Sequence, residues 1–416
     1  MVASILSMLI KHALLASAAV MLVACADADD GGEDTLTPGV CGDGVLNLGE
    51  ACDVPDADGC DADCHITGQS VWTVTRGESG TSLTYPLDVA VGPDGQIVAL
   101  MYAWGGASDP PEGSATLVAL APSGETRWTT SVQSPGGGEG VAPSHVAIGP
   151  DGSIFFHTFG VACYDGDGQL VWDEPTQDLR TASALALAGD DVYVASYGLR
   201  DFDPNGPSTV DASLRRHDPA TGEIVWERVL TGVTDVGRAI SITVAGDTVV
   251  AAGQVSADFP NDGSAFACAS AATGALVPCL PGRFTTIAWL VALPSGDVVF
   301  ATSDEEHEFL RSTSLTGEVR WDLALTADMP VIRDIAVGPD ATIALAGYRG
   351  GPDASRAALR LLDSDGALAW DLEVPPTDGV TQAAAGAVAF GPGFLVMAGQ
   401  EGPGFASTAW ISRIGP

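Results

Sequence analysis

From Val71 to the end of the chain, apolar residues fall in short runs that alternate with polar ones and are cut by glycine turns, with no stretch at helical spacing. Residues 117–128 read LVALAPSGETRW and, after a glycine-rich spacer, residues 145–156 read HVAIGPDGSIFF. Each is a pair of strands about a tight turn, the first ending on a tryptophan. The second recurs as VAVGPDGQIVAL from Val89, LALAGDDVYVA from Leu185, ITVAGDTVVAA from Ile242, VALPSGDVVFA from Val291, IAVGPDATIAL from Ile335 and VAFGPGFLVMA from Val388. Pro-Asp-Gly or Gly-Asp stands at the turn, where φ must be fixed or positive. Trp72, Trp128, Trp172, Trp226, Trp321 and Trp370 share one position of the repeat, and Pro278 stands there in the fifth copy. The copies follow one another at roughly the 40–50 residues that a blade of four short strands needs.

The two ends of the array complement each other. Trp72 opens it without a hairpin partner, and TAWISRIGP from Thr408 ends it without a following tryptophan strand. An open array would leave both edges exposed. Residues 70–76 are therefore expected to pair with residues 409–414 as the outermost strand of the last blade. The predicted fold is all-β: a seven-bladed β-propeller of four-stranded blades over residues 70–416, closed by an N-terminal outer strand and preceded by a small disulfide-rich module.

With 416 residues and 46% hydrophobic content, the chain can bury a large core. The net charge of −37 argues against nucleic acid and anionic membrane surfaces as partners, because both require clustered Lys and Arg. The chain is expected to act as a monomer.

Residues 1–24 carry Lys11 and His12 ahead of an apolar run from Ala13 to Ala24, too short to span a bilayer and typical of a secretory signal. Leu22, Val23, Ala24 and Cys25 resemble the lipobox of bacterial lipoproteins. That resemblance implies cleavage before Cys25, its acylation, and an exported protein at the outer membrane or cell surface, touching membrane through its lipid alone. Met8 is an alternative start. Residues 25–40 then read as a lipidated cysteine on an acidic, solvated tether.

Residues 41–66 hold Cys41, Cys52, Cys60 and Cys64. In an exported chain they form a disulfide framework, with three pairings open. The order C-G-D-G-V, G-E-x-C-D, D-G-C resembles the myxobacterial-type cysteine-rich repeat, present here in one copy with its central segment shortened. A zinc site using His65 is the alternative reading.

Residues 218–226 (D-x-x-T-G-E-x-x-W) and 314–321 (SLTGEVRW) resemble the PQQ-like and bacterial beta-propeller repeat families. The resemblance implies that the six tryptophans dock between neighbouring blades as packing. In the fifth copy, Cys268 and Cys279 flank the turn at residues 272–275 and are expected opposite one another as a disulfide, leaving Cys163 a buried thiol.

The turns that close GPDG and precede tryptophan are short and share one face. Long connections at 103–114, 130–144, 197–212, 257–265 and 375–385 mark the other face as the candidate binding surface for a protein or glycan. Within one connection, Asp201, Asp203, Asn205 and Asp211 follow part of the oxygen spacing of calcium loops, without the terminal Glu. They are candidate calcium ligands or an ordinary Asp/Asn turn. Asp88, His145 and Asp334 stand just before the innermost strand of three blades, where they border the channel mouth as cation ligands or as solvated entrance residues. Arg238 and Arg333 near that rim would receive an anion or form salt bridges.

The resulting reading is a lipid-anchored binding or scaffold protein that requires no cofactor. A quinoprotein dehydrogenase is the alternative enzyme class, but the vicinal cysteines and C-x-x-C-H haem site associated with it are missing here. No Ser-His-Asp spacing, metalloprotease motif or phosphate loop appears either. A third reading is a propeller lipoprotein that assists outer-membrane assembly.

Overall fold

The computed structural model describes residues 70–76, 82–105, 113–132, 145–157, 160–174, 180–201, 209–230, 236, 238–255, 263–282, 284–303, 308–325, 331–351, 354–374, 376–377, 380–402 and 407–415. The cleavage region, Cys25, the tether and Cys41, Cys52, Cys60 and Cys64 lie outside them. The described residues form seven four-stranded antiparallel sheets, the blades of a β-propeller. Blades 1 to 6 span residues 82–132, 146–174, 180–229, 238–277, 286–324 and 331–374. In each, the four strands follow one another from the innermost to the outermost. Among the described residues no helix is long and apolar enough to cross a membrane.

Blade 7 closes the ring. Its inner three strands are Ala383–Gly391, Phe394–Glu401 and Thr408–Ile414, and its outer strand is Ser70–Arg76 from the other end of the chain. Thr73 stands opposite Ser412 and Arg76 opposite Ala409. The wholly buried Ser412 hydroxyl bonds the hydroxyls of Ser70 at 2.8 Å and Thr73 at 3.1 Å, tying the two chain ends together.

The second strand of each blade is buried on both faces because a blade packs on each side of it. Ile97, Val98, Ala99 and Leu100 are all fully buried, facing alternately the closure blade and blade 2. This explains the continuous apolar runs there. Outer strands keep one face solvated, so their burial alternates, as in Ile224–Val229.

Between the blades lie the tryptophans. The indole N–H of Trp72 donates to the Pro122 carbonyl at 2.9 Å, that of Trp128 to Gly166, Trp172 to Pro219, Trp226 to Ala271 and Trp321 to Ser364, always in the turn of the next blade. That turn carries a glycine for two reasons. Gly222 has φ +75°, and a Cβ there would stand 2.5 Å from the Trp172 ring. Trp370 packs between blade 6 and the closure blade, whose third and outer strands come from opposite ends of the chain and share no turn.

Blade 4 differs from the sequence expectation in two respects. Pro278 does not take the tryptophan's place: the ring under Gly317 of blade 5 is Pro281, because the chain leaves the ladder after Val277 and runs three residues further before it docks. Cys268 and Cys279 do form a disulfide, with Cα atoms 5.9 Å apart, yet Cys268 stands opposite Val277 and Cys279 lies beyond the strand end. Cys163 is a free, buried thiol, its pKa pushed up to about 12 by burial first and by the Asp151 charge second.

Candidate functional site

One device shapes the mouth of the central channel. Six of the inner strands carry a register break, at Leu87, Ser183, Ile240, Trp289, Arg333 and Gly386. An extra residue bends a strand and re-aims its neighbours. Counted back from the turn that follows each inner strand, one equivalent position per blade forms an axial ring: Asp88, His145, Ala184, Ser241, Trp289, Asp334 and Ala387.

Three of these residues staple neighbouring blades. Asp88 accepts the N–H of Val89 through one oxygen and that of Val146, in blade 2, through the other, both at 2.8 Å. Asp334 repeats this with Ile335 and with Val388 of blade 7. Ser241 accepts the N–H of Leu290 in blade 5 at 3.2 Å. The inner strands at the axis have no further strand to pair with, so a short acceptor here satisfies N–H groups that would otherwise be left without a partner. Asp88 and Asp334 thus lie inside their strands, Ser82–Val91 and Val331–Val337, and not ahead of them as the sequence pattern suggested. The pairing extends past the bulge to residues that read as loop. His145 does precede its strand, Val146–Ile148.

Charge is concentrated on one arc of the ring. The His145 Nδ1 lies 3.5 Å from Asp88, and its ring stands 5.4 Å from that of the buried His157. Burial first, then the Asp88 charge, pushes Asp334 up to about 7, against the two N–H bonds and His145 that favour its anion. Burial pulls the His145 imidazole down, but the Asp88 hydrogen bond and charge, with the Asp334 charge, outweigh it and hold it above the usual value. The His145 side chain is 43% exposed. Among the described residues no group of three or more His, Cys, Asp or Glu is placed to hold a metal ion.

Trp289 faces blade 6 from the same ring. It is the bulged residue of its strand, with φ +48°, a left-handed conformation that a large side chain rarely adopts. Its indole N–H donates to the Arg333 carbonyl. Arg333 is exposed, with its guanidinium 5.4 Å from the centre of the Tyr348 ring. Sequence inspection missed Trp289, Ser241 and Tyr348. The first was legible as the residue ahead of LVALPSGD, where Asp88 stands ahead of VAVGPDG.

Other candidates fall elsewhere. Arg238 opens the inner strand of blade 4 opposite Gln254. Asp201 ends the second strand of blade 3 opposite Thr209, and Asp211 lies opposite Gly198. Asp203 and Asn205 lie outside the described residues. Parts of the presumed long connections are strand: Tyr197–Asp201 pairs with Thr209–Ala212, and the connection shortens to 202–208. The ladders simply continue beyond the ring.

Comparison with known proteins adds fold and little chemistry. Residues 113–277, less than half the chain, match the family model described as outer membrane protein assembly factor BamB. No curated protein matches the chain. Among solved structures, U3-55K is similar at 13% identity, covering 83% of this chain and 99% of its own with a TM-score of 0.55. An acylaminoacyl peptidase from Pyrococcus horikoshii is similar at 12% identity, covering 76% of this chain and 49% of its own, with a TM-score of 0.50. At such identities the likeness shows the propeller fold alone.

Proposed function

We propose that the protein is a lipid-anchored, exported propeller that acts as a binding or scaffold protein and takes a protein or glycan partner on the face where the axial ring opens. The observation that carries this reading is how the repeat breaks. Where packing decides, five of the seven blade junctions keep one arrangement, tryptophan against a turn glycine. At the axial position the type changes from blade to blade, although Ala184 and Ala387 show that a small residue suffices for closure. The mouth thereby gathers two carboxylates, an imidazole, a guanidinium on an aromatic ring and a strained tryptophan. Such a mixture of stacking surface and directed polar groups suits a polar ligand.

The partial match to a model named for outer-membrane assembly supports an envelope setting and favours scaffolding over catalysis. Anchoring through Cys25 belongs to the same proposal, as does calcium on the connection bounded by Asp201 and Asp211, with Asp203 and Asn205 as the further ligands.

The test is capture of partners from envelope material by the intact chain, by Trp289→Ala and Arg333→Glu at the mouth, and by Glu125→Arg on the opposite, short-turn face. The mouth variants should lose the partner and the turn variant should keep it. The reverse pattern rejects the assignment. Cys25→Ala should move the protein from the membrane fraction to the soluble one, and unchanged fractionation rejects the anchor.

A further inference from the structure

Blade 4 has a notch in its outer edge. Its third strand, Ser264–Ser270, is flanked by an outer strand of two residues, Leu276–Val277, which stand opposite Ala269 and Cys268. The chain then leaves the ladder and returns at Phe284. There the Phe284 N–H donates to the Ser264 carbonyl at 2.9 Å and the Ser264 N–H donates to the Phe284 carbonyl at 2.6 Å.

In an antiparallel ladder the main-chain groups of alternate residues point to the same side. Ser270 and Ser264 bond outward, to the turn at 274–275 and to Phe284, so Phe266 also directs its N–H and C=O outward. Neither group meets a main-chain partner among the described residues. In blade 3 the equivalent residue, Leu214, is matched by Arg228 on a full outer strand. Main-chain groups left unpaired inside a fold are uncommon.

Where the missing strand would run lies a cavity of about 500 Å³ lined by Phe266, Leu276, Val277, Pro278, Leu280 and Pro281. Three fixtures hold it open. The Cys268–Cys279 disulfide ties down one wall, the Leu280 N–H donates to the Leu315 carbonyl of blade 5 at 2.8 Å, and Pro281 seats under Gly317. The notch is thus formed before any ligand arrives, which lowers the ordering cost of binding.

We propose that this notch binds an extended peptide segment, one residue of which completes the ladder at Phe266. That residue donates its N–H to the Phe266 carbonyl and accepts the Phe266 N–H, the two-point pairing of an antiparallel strand. The volume falls within the roughly 300–1,000 Å³ of small-ligand sites, enough for a few residues and too little for a folded element. Pro278 and Pro281 offer apolar walls with no N–H to compete for the peptide carbonyl. The net charge of −37 favours a segment with basic flanks. The site is independent of the channel mouth.

The experiment titrates the full chain with the blocked pentapeptide acetyl-Lys-Ala-Val-Ala-Lys-amide, and with a twin N-methylated at the valine, while amide resonances are followed. The expected result is a saturable shift of the Phe266 amide and slower hydrogen exchange there, with the N-methylated twin binding at least tenfold more weakly. Leu276→Arg changes a side chain that is already 37% exposed, so the fold is kept, and it should weaken binding about tenfold by crowding and like charge. A silent Phe266 amide, equal binding of the twin, or shifts confined to the edges of other blades would overturn the proposal.

Discussion

Replacing Asp334 by Asn should stabilise the fold increasingly between pH 5 and pH 8. In the unfolded chain this carboxyl loses its proton near 3.8, whereas in the channel it holds the proton to about 7. Across that window the unfolded state binds fewer protons, so the stability of the fold declines as pH rises and levels off above about 7. The displacement corresponds to a ceiling of ~4 kcal/mol, reached only if no extra water enters the channel as the group ionises. His145 acts in the same direction. Its folded value is raised, so its contribution is fully present below its ordinary value of 6.5 and fades as pH climbs through the folded one.

Asn cannot ionise, and it keeps one acceptor oxygen where the carboxylate has two. It therefore gives up the bond to Ile335 or to Val388, a loss of about 1 kcal/mol at every pH. Ionisation in the unfolded chain has already removed roughly 2 kcal/mol from the parent by pH 5, so the net expectation is a variant within about 1 kcal/mol of the parent at pH 5 and up to ~3 kcal/mol more stable at pH 8. Urea unfolding followed by tryptophan fluorescence at pH 5, 6, 7 and 8, at constant ionic strength, measures this difference. Carboxyls that are lowered in the fold, such as Asp94 and Asp371, lose their stabilising effect only as pH falls, and they cancel between parent and variant. A difference constant over the whole range would mean that Asp334 does not keep its proton in the folded channel.

Four further outcomes test the architecture. The Cys268→Ser, Cys279→Ser double variant opens a loop with a sequence separation of 11 and should lose about 3 kcal/mol in urea unfolding, and an unchanged midpoint would mean that the arch needs no tie. Gly222→Ala places a Cβ against the Trp172 ring at φ +75° and should lose more than 2 kcal/mol, roughly the left-handed cost plus displacement of the indole. Gly189→Ala, at φ +58° with open space around it, should lose only about 1 kcal/mol, and equal losses would remove the indole from the explanation. Trp72→Ala empties the junction between the closure blade and blade 1 and removes the bond to Pro122; it should lose about 3 kcal/mol in thermal or urea unfolding.

Much of the fold was legible because its determinants are local. Alternation with period two, a glycine at each tight turn and a tryptophan at one repeat position are properties of adjacent residues, and repetition sets the number of blades. Even the pairing of residues 70–76 with the last strand followed from the two unmatched ends of the array. The cysteines of blade 4 were recognisable as partners, although their place on the ladder was not, since it depends on where the outer strand gives out.

What the tertiary structure alone decided is which residues meet across blades. Asp88 and Asp334 lie far apart in the chain, and only closure of the ring brings each carboxylate to the other's field and to an N–H of the following blade. The bond from the Trp289 indole to the Arg333 carbonyl exists only once its strand bulges, and Pro281 reads as a loop residue until Gly317 settles over it. Phe266 sits in an unremarkable strand, and its open N–H and C=O exist only because a neighbouring segment turns away. Periodicity along a chain encodes contacts with the next turn and the next strand. Contacts at the axis and at a broken edge depend on the geometry of the assembled ring, to which every blade contributes.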